Sequence, residues 1–286
     1  MRYLVLFFVF SGAMCALRAQ EPLSEDDALK LIYSQYDAGK KTAHWVCTRD
    51  QEKKTMHAGW PCSKKHQTVS VSVLLMAKIN EDGTERTYIA TSAKPSSNPD
   101  ESSYDCHACA PAIGVGVVVW AANHWILEST NAAVGFYGGW GNPPEIALVQ
   151  VGQEKHALIL STNDLAQGYA WSTKFLLMPL DKTVAEVWNI QDEQDNEGAI
   201  DPDDKLNKEV PYKSSATFKF YAADDGISRD YYDIEVISRG SSRVDLDHPL
   251  KQENWTEIYR FSKGKYRLLR RKEFTEIKKA TKELAH

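Results

Sequence analysis

The chain has 286 residues, 43% hydrophobic and 26% charged, with 34 Lys+Arg against 39 Asp+Glu. That composition excludes a disordered chain, a collagen-like fibre and a multi-span membrane protein. The formal charge of -5 argues against a globally basic nucleic-acid binder, so no nucleic-acid partner is expected.

The first residues read as a secretory leader. Arg2 supplies the positive start, Leu4 to Phe10 an unbroken apolar run, and Leu17-Arg18-Ala19 a cleavage site, which makes 1–19 the signal peptide. Cys15 lies inside it, but Met14 before it fits a lipidation site poorly. The run is short for a membrane span and no later stretch reaches that length, so the mature chain is not expected to cross the membrane. The expected compartment is the periplasm or the exterior. Loss of Arg2 and Arg18 with the leader takes the formal charge from -5 to -7.

An amphipathic helix follows. Ser24 is its N-cap, and Glu25, Asp26 and Asp27 occupy the first turn, where the helix dipole favours anions. Ala28, Leu29, Ile32, Tyr33 and Tyr36 recur at helical spacing, and Gly39 is the expected stop.

The period then changes from 3.6 to 2. Strands are expected at Val69 to Val73 and Thr87 to Thr91, around the hairpin signal Asn80-Glu81-Asp82-Gly83. Val117 to Trp120 and His124 to Leu127 flank a turn at Ala121-Ala122-Asn123. Further strands are expected at Ile146 to Val151, Ala157 to Thr162, Ala170 to Met178 and Val184 to Ile190. Four more follow at Ala216 to Tyr221, Tyr232 to Ser238, Thr256 to Phe261 and Tyr266 to Arg270. Ser262-Lys263-Gly264-Lys265 joins the last pair as a hairpin.

This pattern predicts a mainly β fold. The forms it allows are an antiparallel β-sandwich or meander and propeller-like sheets, with the N-terminal amphipathic helix and a short C-terminal helix. No internal repeat supports a propeller. The C-terminal helix is expected over Glu273 to Leu284. Lys263 to His286 hold nine Lys+Arg and three Asp+Glu, which reads as a solvated helix resting on an acidic body or as a contact for an anionic partner. An acidic linker or loop over 191–211, with Pro202 and Pro211, separates a β-rich region over 20–190 from a hairpin region over 212–286. The two regions can also form one continuous domain.

With Cys15 removed, Cys47, Cys62, Cys106 and Cys109 remain. In an oxidising compartment four thiols read as two disulfides, and three pairings are open. Cys47–Cys62 with Cys106–Cys109 is the most local; the others staple the CxxC pair to the first loop. Cys106-His107-Ala108-Cys109 also invites a redox reading. The run after Pro111 is strand-like, however, so the helix N-terminus that lowers a thiol pKa is missing. Haem attachment needs His where Ala110 stands. Zinc, on the four thiols or on Cys47 and Cys62 with His57 and His66, is disfavoured by export.

Glu193, Asp195, Glu197, Asp201 and Asp204 fall at positions 1, 3, 5, 9 and 12 of a stretch with Gly198 at 6. This spacing resembles an EF-hand-like calcium loop. Glu at positions 1 and 5, Asp at 12 and Pro202 depart from that pattern, so the stretch also reads as a solvated acidic linker. The cofactor expectation is therefore none, or calcium at this segment.

Gly135-Phe136-Tyr137-Gly138-Gly139-Trp140-Gly141 offers Phe136, Tyr137 and Trp140 as binding residues that stack a sugar or dock a partner; the alternative puts these rings in the core. Asp224-Asp225-Gly226 with Asp230 and Asp233 reads as a turn. There is no GxSxG, HExxH, Walker A or dinucleotide motif. Glu128, Glu145 and Glu186 lie near strands, but nothing in the sequence pairs them. The expected function is a non-enzymatic binding protein that recognises an envelope protein or polymer, in one form an inhibitor or immunity protein against an envelope hydrolase. The alternative is an envelope enzyme, either a hydrolase or a CxxC thiol–disulfide oxidoreductase.

Overall fold

The computed structural model describes residues 22–46, 66–96, 106–200, 210–223, 225, 227, 229–243 and 249–273. The leader, Cys47 and Cys62 lie outside them, as do Asp201, Asp204 and the chain beyond Glu273.

Helix α1 spans Glu25–Ile32. Ser24 caps it, its Oγ accepting from the Asp27 N–H at 3.1 Å. The helix stops short of Gly39 because Tyr33 turns extended and buries its ring. The Tyr33 hydroxyl then lies 2.7 Å from Thr91 Oγ1, and burial pushes the phenol up to about 12.

Among the described residues, fourteen strands form two antiparallel sheets. Strands β1 (Thr42–Val46), β2 (His66–Glu81), β3 (Thr84–Pro95), β4 (Ala112–Ala121) and β5 (His124–Phe136) make a five-stranded sheet in that order. The second sheet has nine strands: β6 (Glu145–Gly152), β7 (Lys155–Ala166), β8 (Tyr169–Leu180), β9 (Thr183–Asp195), β10 (Lys213–Tyr221), β11 (Asp233–Ser242), β12 (Lys251–Gln252), β13 (Trp255–Ser262) and β14 (Lys265–Glu273). Its neighbours are consecutive from β6 to β11, then β13 and β14, with β12 paired to β11. Two-residue turns drive this pattern. Both central residues have positive φ at Asp82-Gly83, Ala122-Asn123, Gln167-Gly168 and Lys263-Gly264, the geometry that suits the twist of a hairpin.

Two of the expected bounds fall within strands. The boundary drawn at Gln191 falls inside β9, which runs to Asp195 and pairs with both β8 and β10. Glu273, the expected start of the C-terminal helix, is the last residue of β14.

Strands β3 and β4 are buried on both faces. Ala112 and Val118 join α1 residues Leu29 and Ile32 in one apolar cluster. Ile113, Val115 and Val117 point the other way and meet Leu158, Leu160, Leu177 and Val184 of the nine-stranded sheet. A third cluster lies on the opposite face of β7 and β8, where Ala157, Ile159 and Leu176 meet Ile234, Val236 and Tyr266. Between the inward residues of β4, Gly114 and Gly116 leave room for the helix. A Cβ on Gly114 would lie 2.7 Å from the Tyr33 hydroxyl, and one on Gly116 would lie 2.9 Å from Ile32.

A charged network links the sheets at one end. Glu81 and Tyr88 come from the five-stranded sheet and His156 from the nine-stranded one. His156 Nδ1 lies 2.7 Å from Glu81 Oε1, and the Tyr88 hydroxyl donates to Glu81 at 3.0 Å. Burial and the Glu81 charge raise the Tyr88 pKa. Arg86 donates to Glu128 through Nε at 2.7 Å and Nη2 at 3.0 Å. A register shift between Val117 and Val118 leaves Glu128 unpaired with β4.

Two outcomes are expected. Gly114→Ala or Gly116→Ala should cost about 1–3 kcal/mol of stability by overpacking, read from urea denaturation midpoints; an unchanged midpoint would contradict the close helix approach. The Arg86 hydrogen bond holds the Glu128 carboxyl below the usual glutamate range. A depressed folded pKa means stability that is present above the unfolded value and lost as pH falls through the folded one. Glu128→Gln should therefore be less stable than wild type at neutral pH, and the two stability curves should converge in acid. Parallel curves of thermal midpoint against pH would count against this linkage.

Candidate binding site

Two segments singled out in the sequence meet at one end of the β4–β5 hairpin. Residues 106–111 lead into β4 and residues 137–144 leave β5, and the register pairs Ala112 with Phe136. Antiparallel pairing therefore brings the cysteine loop beside the aromatic loop. Cys106 and Cys109 are bonded to each other, with Cα atoms 4.9 Å apart. This is the local closure among the alternatives, and the pairings that tie Cys106 or Cys109 to the first loop are set aside. Strand β4 follows the loop, so the pair does not open a helix, the position that lowers a thiol pKa.

Backbone hydrogen bonds lock the two loops together. The Trp140 N–H donates to the Cys106 carbonyl at 3.1 Å, and the Gly141 N–H to the Cys109 carbonyl at 2.7 Å. The Tyr137 N–H donates to the Pro111 carbonyl at 3.2 Å. Gly138 sits at φ 103, and a Cβ there would lie 2.0 Å from the Asn142 carbonyl oxygen, so the turn excludes other residues.

The three aromatic candidates separate. Tyr137 is buried in the cluster between the sheets, its ring 4.8 Å from that of Phe175. Phe136 is partly buried against the α1 cluster. Trp140 is 52% exposed, with its ring edge-on to His107 at 5.5 Å. Of the three rings Tyr137 is packed in the core and Trp140 is the exposed one.

These loops border a cavity of about 520 Å³, and its lining includes His107, Val134, Phe136, Tyr137, Asp164 and Glu186. Asp164 is on β7 and Glu186 on β9, so the nine-stranded sheet supplies both carboxylates. The Tyr137 hydroxyl donates to Glu186 Oε2 at 2.7 Å, and the Asn189 amide to Oε1 at 2.7 Å. Burial, then the Glu186 charge, raises the Tyr137 pKa. Asp164 Oδ1 accepts from the Leu165 N–H at 2.9 Å. His107 Nε2 lies 2.7 Å from the same oxygen without the alignment a hydrogen bond needs. His107, Asp164 and Asn189 were not singled out in the sequence, where no spacing joins them. Of the remaining carboxylates considered, Glu128 is taken by Arg86 and Glu145 is exposed at the start of β6.

Of the acidic segment, Glu193, Asp195 and Glu197 are described, while Asp201 and Asp204 lie outside the described residues. Glu193 and Asp195 are strand residues, and Glu197 opens a single turn of 3-10 helix, Glu197–Ala199. That turn lies on the β7–β8 hairpin, with Gly168 and Gly198 in close backbone contact. Buried Asn196 ties it down, donating to the Val210 carbonyl and accepting from the Tyr212 N–H at 2.8 Å. Among the described residues, no group of three or more His, Cys, Asp or Glu side chains is arranged to hold a metal ion. No helix of the described residues is long and apolar enough to cross a membrane. Comparison with family models, curated proteins and solved structures finds no match.

Non-reducing peptide mapping should recover Cys106 and Cys109 linked within one peptide. A cross-link from either to Cys47 or Cys62 would contradict the local closure.

Proposed function

We propose that this chain is an exported binding protein that recognises an envelope protein or polymer without turning it over. The observation that carries this reading is the convergence of the Cys106–Cys109 loop and the loop after Phe136 on one open cavity, with the exposed Trp140 indole against His107 of its lining. Its volume is in the range of ligand pockets, and large aromatic residues are frequent anchors of interfaces. The leader-like N-terminus supports export, and a loop closed by a disulfide suits an oxidising compartment. Inhibition of an envelope hydrolase is one specific form of such recognition. The two packed antiparallel sheets also suit a sandwich-type scaffold that presents loops at its end.

A second reading has one observation in its favour. Asp164 and Glu186 line the same cavity, and paired carboxylates are the equipment of glycoside hydrolysis. Turnover of peptidoglycan that disappears in Glu186→Gln would favour that reading over pure binding.

The binding reading is tested by capture from envelope extract. Immobilised wild-type protein should retain one dominant partner, and Trp140→Ala should lose at least about tenfold in affinity for it, as expected of a truncated anchor residue. Equal retention by the variant would remove Trp140 from the binding surface.

A further inference from the structure

One carboxylate of this cavity, Glu186, is held differently from the buried ones elsewhere. Glu81 faces His156 and Arg86, Asp233 is gripped by Arg260, and Glu257 is paired with Arg271. Those three are the fully buried acids among the described residues, and each has a basic partner. Glu186 has none: its partners are the uncharged Tyr137 hydroxyl and Asn189 amide. Asp164 accepts from a backbone N–H and has the His107 imidazole beside it. No lysine or arginine is among the described residues that line the cavity.

The walls add a second, independent feature. Ala108, Ala110, Val134 and Phe136 are apolar, and Trp140 stands half exposed beside His107. Aromatic ring faces attract cations, and apolar walls accept the methylene stem of a long basic side chain while its head reaches a carboxylate. The Tyr137 hydroxyl is already committed to Glu186, which leaves the two carboxylates and the His107 imidazole as the polar groups an occupant would meet.

We propose that the cavity receives a lysine or arginine side chain presented by a basic partner polypeptide. This rests on the binding reading above and names its occupant. The aliphatic stem lies along Val134 and Phe136, the indole of Trp140 covers it from the mouth, and the cationic head meets Asp164 and Glu186.

Calorimetric titration of the whole protein tests this with three probes: a tetralysine peptide, the same peptide with every side-chain amine acetylated, and a glucosamine tetramer. Tetralysine should bind saturably. Acetylation, or the double variant Asp164→Asn/Glu186→Gln, should weaken it at least about tenfold, and added salt should weaken it further. The variant Glu145→Gln/Glu193→Gln removes the same charge at exposed positions and should keep wild-type affinity. Equal affinity for the acetylated peptide, or equal losses in both double variants, would overturn the proposal. Binding of the glucosamine tetramer without tetralysine would overturn the polypeptide occupant. If tetralysine fails to bind while Trp140-dependent capture persists, this inference falls and the binding reading stands. If neither is seen, both fall.

Discussion

Strands β3 and β4 bury both of their faces, and the rest of the molecule is arranged around that demand. Alternate residues of β4 serve different cores: Ile113, Val115 and Val117 meet the nine-stranded sheet, while Ala112 and Val118 meet α1. A helix of eight residues is marginal by itself. It is held because Ala28, Leu29, Ile32 and Tyr33 are buried on the sheet, and Gly114 and Gly116 let it come close. The glycines weaken the strand locally, since they lose more backbone freedom on folding. The close packing they permit, which extends to the Tyr33–Thr91 hydrogen bond, offsets that loss.

Double burial also determines where charge can sit. Charged groups at the edges of the sheets are partly removed from water, where an unpaired ion costs several kcal/mol. Glu81 is satisfied by three side chains: Tyr88 and Arg86 from its own sheet and His156 from the other. The arrangement makes the hairpin ends of β2–β3 and β6–β7 interdependent. Glu186 meets the same problem with neutral donors, which leaves its negative charge available to the cavity. The two solutions separate a structural cluster from a site.

Most strands were legible in the sequence because period-2 alternation and turn residues coincide, as at Asp82-Gly83 and Lys263-Gly264. Strand β1 was not, since Thr42–Val46 is short and the turn residues before it, Asp37 and Gly39, read as the end of the helix. The end of β9 was hidden by its acidity: Gln191 to Asp195 is held by pairing to β8 and β10 rather than by a buried face, and a run of charge then looks like a linker. At the cavity, the two loops were legible separately. Their meeting follows from the β4–β5 hairpin, because whatever precedes β4 must lie beside whatever follows β5. Asp164 and Glu186 were not legible as partners, because they arrive from the other sheet and no spacing in the chain records how the sheets stack.

That stacking is what joins core and site through a single side chain. Tyr137 follows β5 at the rim, buries its ring against Phe175 between the sheets, and donates its hydroxyl to Glu186 on β9. The floor of the cavity is therefore part of the sheet–sheet contact. The disulfide loop, which supplies His107 and Ala108 to the lining, is tied to the aromatic loop through carbonyls that accept from the backbone of Trp140 and Gly141. An exposed indole on a free loop would lose considerable freedom when a ligand covers it. Here the backbone carrying Trp140 is ordered before any ligand arrives, and preorganisation of this kind reduces the cost of binding. The short disulfide does little for the overall fold, because it closes a loop of a few residues. Its consequence is local, in holding the Trp140 backbone beside His107, which lines a cavity whose carboxylates come from the other sheet.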